Sequence, residues 1–194
     1  KNLDKVKIID CSWHMPQTKR NGLEEYQKQH IENAIFFDLD KNSKTDTALP
    51  HMLTDFKAWE KIVSNMGIKN KDQIIIYDNS DVISSCRCWY NFIYFGHNPS
   101  LVHVLDGGLK KWMNEKKPTV NNLTKTIRSN YIANEKKRLV KNKKQVDENI
   151  DKNEFKVMDA RSRERFEGKV PEPRQGLRSG SIKNSFCLPF SELI

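Results

Sequence analysis

The sequence predicts an α/β fold in which parallel sheets are covered by helices on both faces, with one complete unit followed by the start of a second. Three observations predict it. Strand-like and helix-like segments alternate along the first 118 residues, as crossover-connected parallel strands require. The unbroken apolar run Ile74-Ile75-Ile76 has the pattern of a strand buried on both sides. Two segments of the first unit then recur in the same order near the end of the chain.

Element by element, Val6 to Asp10 reads as a short strand ending in an acid, and Leu23 to His30 as a helix. Ala34 to Phe37 is a second strand. Phe56, Trp59, Ile62, Val63 and Met66 share one helical face between Met52 and Met66, and Gly67 is placed to cap that helix in a left-handed turn. Gln73 to Tyr77 is the central strand. Ile83 to Phe95 is apolar nearly all round, hence a buried helix, and Gly96 closes it. Val102 to Leu105 is a further strand, and Leu109 to Glu115 a short helix. Pro118 ends this first domain, residues 1–118, and the polar stretch 119–134 reads as a linker over the surface. Residues 135–194 open the second domain, with a short strand at Leu139-Val140 and a polar helix from about Lys144 to Ile150.

The repeat carries the second domain. Lys7-Ile8-Ile9-Asp10 recurs as Lys156-Val157-Met158-Asp159, an offset of 149 from Asp10 to Asp159. Ile31 to Leu39 recurs as Ile182 to Phe190, at an offset of 151. Everything matching 46–115 is missing from the second copy, and a half-built sheet exposes an edge and an apolar face. The polypeptide is therefore expected to continue past Ile194. With no initiator Met at position 1, residues before Lys1 are expected too.

Composition excludes several classes. No stretch approaches a membrane span, and the charged start Lys1 to Lys7 is unlike a secretion signal. Four cysteines, Cys11, Cys86, Cys88 and Cys187, are too few and too scattered for a disulfide framework, so a reducing, cytoplasmic compartment is expected. Cys86 and Cys88 would point to different faces of one helix, which argues against a shared metal; no metal site is expected. The net charge of +9 suits steering of small anions, and the basic run from Lys136 to Lys144 lacks the interleaved aromatics of a nucleic-acid reader. A phosphatase would need Arg six residues after a Cys. Gln17, Phe92, Tyr94 and Leu193 stand there instead.

Landmarks in order then carry a resemblance. They are Glu25-Tyr26, His30-Ile31-Glu32-Asn33-Ala34, Phe36 to Asp40, Pro50-His51-Met52-Leu53, Phe95-Gly96-His97 and Leu105 to Leu109. In the second unit they are Asp159-Ala160-Arg161-Ser162, Arg165-Phe166, Pro171-Glu172-Pro173-Arg174, Gly176 to Gly180 and Leu188-Pro189-Phe190. Over essentially its whole length the chain resembles the two-domain rhodanese family, specifically the 3-mercaptopyruvate sulfurtransferases. The resemblance implies transfer of a sulfane sulfur from a small anionic donor, through a cysteine persulfide, to cyanide or a thiol such as reduced thioredoxin. It implies no cofactor, no membrane and no nucleic acid.

The implied nucleophile lies in the loop after the strand matching Ile74 to Tyr77, at about residue 228 by the repeat offset, beyond Ile194. None of the four cysteines present matches it, and all four are expected to be packing residues. In the first domain Asp78 stands at that place, and a carboxylate cannot carry a sulfane sulfur, so this domain is expected to be inert. Arg165 and Arg174 match the family's substrate-binding pair, whose guanidinium forks suit a carboxylate. Asp40 and His51 match a pair proposed to assist the nucleophile, His51 as proton relay and Asp40 as its orienting partner. Thiosulfate is the alternative donor, and a non-catalytic binding module the alternative function if the natural chain ends at Ile194. The family writes Pro-Gly where this chain has Glu32-Asn33 and Lys183-Asn184; Asn accepts the left-handed turn that Gly would take.

Overall fold

A computed structural model describes residues 6–193; the charged start at 1–5 and the final Ile194 lie outside the described residues. The chain forms two compact units, 1–139 and 140–194.

In the first unit, β1 (Val6–Asp10), β2 (Ala34–Phe36), β3 (Gln73–Tyr77) and β4 (Val102–Val104) make a parallel sheet in the order β2-β1-β3-β4. Helices α1 (Gly22–Lys28), α2 (Phe56–Asn65), α3 (Ser84–Tyr94) and α4 (Gly108–Asn114) fill the connections. Side-chain alternation sorts the core into two layers. Ile9, Ile74 and Ile76 face α2 and α3, where they meet Trp59, Val63, Cys88 and Phe92. Ile8, Ala34 and Tyr77 face α1 and α4, where they meet Tyr26 and Leu109. Helices thus cover both faces, as the alternation of segments implied.

Local chemistry sets the ends of these helices. Asn21 accepts from the N–H groups of Leu23 and Glu24, and Asp55 from that of Ala58, so each caps a first turn whose donors would otherwise be unpaired. The apolar face begins at Phe56, after this cap, which is why α2 is shorter than the span from Met52. Gly67 takes φ +69° after α2, and Gly96 φ +84° after α3, the left-handed stops expected of them.

Two segments differ from the sequence reading. The stretch 119–134, read as a linker over the surface, falls within the first unit, which runs on to Leu139. Val120 exchanges backbone hydrogen bonds with His30, and Tyr131, 2% exposed, enters the core beside α2 and α3. Leu139-Val140 is no strand. Lys137–Leu139 is a 3-10 turn whose backbone groups are already used: the Leu139 N–H donates to the Lys136 carbonyl, and the Tyr90 hydroxyl donates to the Leu139 carbonyl.

The second unit contains α5 (Lys143–Lys152), β5 (Met158–Asp159), α6 (Arg163–Phe166) and β6 (Phe186–Cys187). Asn142 and Gln145 form a capping box at the start of α5. β5 and β6 pair in parallel with Met158 opposite Phe186 and Asp159 opposite Cys187. This is the β1–β2 register, Ile9 opposite Ile35 and Asp10 opposite Phe36, carried over by the two repeat offsets. Asn33 and Asn184 occupy the same turn with φ 63° and 65°, so the left-handed geometry expected of Asn is present in both units.

Candidate functional site

In an open parallel sheet the carboxyl ends of the strands, where crossovers leave in different directions, form the natural crevice. Around β1 and β3 of the first unit that rim carries the buried polar residues Asp10, Ser12, His14, Asp78 and Ser80. A cleft of about 230 Å³ opens there, walled by Trp13, His14, Arg20, Asp38 and Asp40.

The two first-domain residues selected from the sequence meet on this rim. His51 Nε2 lies 2.7 Å from Asp40 Oδ1. The other carboxylate oxygen accepts from the indole Nε1–H of Trp13 at 3.0 Å, and the Trp13 ring packs edge-on against the imidazole with centroids 4.8 Å apart. His51 has φ 56°, a left-handed conformation costly for a residue with a Cβ. The Arg87 guanidinium, from α3, donates to the His51 carbonyl at 2.6 Å. Trp13 and Arg87 escaped the sequence reading. Arg87 did leave a trace there, as the one formal charge within the otherwise neutral helix Ser84–Tyr94.

Asp78, where the nucleophile of an active unit would stand, is 7% exposed and already satisfied. Its Oδ1 accepts from the Ser80 N–H at 3.0 Å and its Oδ2 from the Ser85 N–H at 2.7 Å. One backbone donor of the loop and one at the head of α3 are thus spent on an internal carboxylate. Gly108 keeps this loop close, since a Cβ there would run into the Asp78 carbonyl, which accepts from the Leu109 N–H at 2.9 Å.

Beside this loop lies an ion cluster that the sequence did not reveal. Glu25 of α1 accepts from Arg20 Nε and Nη2, both at 2.7 Å, and from Asn79 Nδ2 at 3.0 Å, and it lies 3.1 Å from His14 Nε2. Burial alone would raise the Glu25 carboxyl, but Arg20, Asn79 and His14 outweigh it and hold the group below the usual carboxylate range.

In the second unit, Arg165 places Nε 3.2 Å from Glu172 Oε1 and Nη2 2.5 Å from Oε2. Glu172, with its side chain only 4% exposed, also accepts from Arg161 Nη1 at 2.7 Å. Arg161 turns its remaining donors to Asp159 and to the Gly180 carbonyl. Arg165 and Arg161 together pull the Glu172 carboxyl down, and Arg161 does the same to Asp159. Arg174 is exposed and has no hydrogen-bond or ion-pair partner among the described residues. Of the two selected arginines, then, one is held by a buried carboxylate and the other is open to solvent. Arg161 and Glu172 stand within the quoted motifs yet were not singled out, because contacts across a loop are invisible in a linear string.

The cysteines divide. Cys11 and Cys88 are fully buried, as packing residues should be, and burial drives the Cys11 thiol well up. Cys187 is half-buried. Cys86 is exposed, which corrects the expectation that it packs: the helix turns it away from the core while Cys88 turns inward. Partial burial and the nearby Asp78 charge nonetheless push the Cys86 thiol up, opposite to the shift an activated nucleophile needs. Among the described residues no three His, Cys, Asp or Glu side chains converge on a point that would hold a metal ion, and no helix is long and apolar enough to cross a membrane.

Residues 1–115 match the family model described as rhodanese-like domain. The chain is 37% identical over 209 residues to the "Thiosulfate/3-mercaptopyruvate sulfurtransferase 1, mitochondrial" of Arabidopsis thaliana, covering 97% of this chain and 55% of that protein. To the "3-mercaptopyruvate sulfurtransferase" of Mus musculus it is 33% identical, covering 97% of this chain and 64% of the relative. The chain therefore spans little more than half to about two thirds of the length of these relatives. Among solved structures, SseA from Escherichia coli, titled a 3-mercaptopyruvate sulfotransferase with the rhodanese fold, superimposes with a TM-score of 0.87 at 28% identity. That match covers all of this chain and 72% of the other.

Proposed function

Because the chain belongs to the rhodanese-like family, we propose that it forms the first domain, and the start of the second, of a tandem-domain sulfurtransferase acting on 3-mercaptopyruvate. In this reading a cysteine thiolate of the second domain, supplied by polypeptide beyond Ile194, attacks the donor sulfur. The donor's C–S bond breaks, a proton replaces the sulfur on carbon to leave pyruvate, and the enzyme holds a persulfide. Cyanide or a thiol such as reduced thioredoxin then removes the outer sulfur. Such an intermediate divides one difficult transfer into two easier displacements.

The observation that carries the reading is Asp78. A buried carboxylate that accepts one N–H at each oxygen occupies the nucleophile position that the resemblance gives to the first unit, so the sulfur-accepting step falls to the second. The names of the relatives, matched over 97% of this chain, support the same chemistry. Arg165 serves the donor carboxylate through its Nη1, which has no partner among the described residues, while Glu172 holds the other edge of the fork. Arg174 supplies a second, exposed guanidinium, and His51 with Asp40 assists proton transfer. Thiosulfate is the competing donor, since the Arabidopsis relative carries both donors in its name. Four unpaired cysteines suit a reducing compartment, and we assign a cytoplasmic location, with a mitochondrial one as competitor from that relative's name.

Kinetics of the full gene product test this. Arg165→Ala is expected to raise the KM for 3-mercaptopyruvate by about tenfold or more, the scale of one charge-assisted hydrogen-bonded pair. Persulfide formation from a small uncharged donor should be spared. Equal loss with both donors would refute the carboxylate-holding role.

A further inference from the structure

The loop that has lost its nucleophile makes contacts that nothing above accounts for. The Ser80 hydroxyl donates to the Trp13 carbonyl at 2.5 Å, and the Trp13 N–H donates to Ser84 Oγ at 3.1 Å. Ser84 Oγ in turn donates to the Cys11 carbonyl at 2.6 Å. Trp13 is thus pinned on both sides of its backbone, by Ser80 of the β3–α3 loop and by Ser84 at the start of α3. Its indole N–H reaches Asp40, and Asp40 reaches His51. From the far side Arg87, three residues beyond Ser84, grips the His51 carbonyl.

We infer that Trp13 and Arg87 are positioning residues that fix the orientation of the His51 imidazole, and that the inert 78–84 loop is retained as the frame holding them. This rests on the proposed role of His51 in the transfer reaction. Two features of the geometry carry it. An ionised carboxylate only accepts, so Asp40 takes one hydrogen from Trp13 and one from His51 Nε2, leaving Nδ1 as the imidazole's free nitrogen. Without Trp13 the carboxylate, 65% exposed, could rotate and release that proton to water. The left-handed backbone at His51 is strain that persists because its surroundings over-determine it, and the Arg87 contact is what holds the carbonyl. A residue strained in this way and tied from three elements is built for placement.

Trp13→Phe keeps an aromatic ring but removes the N–H; Arg87→Met keeps most of the length but removes the donors. In the wild-type protein, 15N-edited NMR should show the His51 Nε2–H as a downfield signal protected from exchange, together with a bonded Trp13 indole N–H. Trp13→Phe should lose the His51 signal to exchange, and Arg87→Met should weaken it. In the full gene product both variants should lower kcat for sulfur transfer by about tenfold with KM little changed, the scale of a misplaced catalytic group. In a His51→Ala background neither should lower it further, because each acts through His51. Equal losses in both backgrounds, or a protected His51 signal in Trp13→Phe, would overturn the inference. If His51→Ala alone left turnover intact, the catalytic role of His51 would fall, and the NMR signal would still decide whether Trp13 and Arg87 position the ring.

Discussion

His97 follows directly after a helix-ending glycine and touches three distant parts of the first unit. Its Nε2–H donates to the Asp72 carbonyl at 3.0 Å, its Nδ1 lies 3.3 Å from the Tyr131 hydroxyl, and Phe92 meets its ring edge-on. Burial depresses its pKa below the ordinary imidazole value, against the weaker opposing pull of the Asp72 carbonyl. The unfolded chain takes up a proton at about pH 6.5 that the folded one refuses, so the contribution of His97 is intact above that pH. Below it, stability should fall by up to about 1.4 kcal/mol per pH unit until the folded-state pKa is reached. Urea unfolding followed by tryptophan fluorescence, at a series of pH values below about 7, measures this. His97→Gln should flatten that limb, and an unchanged slope would assign the loss elsewhere. These contacts are those of a packed, structural side chain. Asp40 and His51 were selected in the sequence from two separate landmark strings, Phe36 to Asp40 and Pro50 to Leu53. Trp13 and Arg87 were not, because residues 27 and 36 positions from their partners leave no periodic trace.

Among the elements, the turn into β2 shows best what a linear reading captures. Asn33 takes φ 63° and Asn184 φ 65° in equivalent turns, and each is followed by a residue whose N–H reaches back to an isoleucine carbonyl, Ile31 or Ile182. A residue with an ordinary Cβ pays for this conformation, and Asn does so least. Asn33→Ala is expected to cost the first unit about 1 kcal/mol, and Asn33→Gly to be neutral or mildly stabilising, as read from urea midpoints. Equal stability of all three would show that the turn relaxes. Helices with one strong apolar face, such as α2, were legible to within a few residues, and their limits follow caps such as Asp55. The segment 119–139 was harder. Its apolar residues follow neither helical nor strand period, and Tyr131 is drawn into the core with Ala133 packed against it, so a polar string concealed a structural strap.

At the scale of the whole chain, two units repeat one strand, turn and strand pattern in the same register while their chemistry diverges. The first pairs Glu25 with Arg20 and holds Asp78 on backbone N–H groups, whereas the second pairs Arg165 and Arg161 with Glu172. The repeat itself was visible as two aligned segments. The charged clusters were visible only as letters, and their meaning emerged once Arg20 was seen to pair with Glu25 and Glu172 with Arg165. Under the proposed function, sulfur uptake falls to the second unit alone. The most direct test is mass spectrometry of the full gene product after brief exposure to 3-mercaptopyruvate, with the modified peptide sequenced. One added sulfur atom is expected, on a cysteine that follows Ile194, with Cys11, Cys86, Cys88 and Cys187 unmodified. A persulfide on Cys86 or Cys187, or none on any cysteine, would contradict the account.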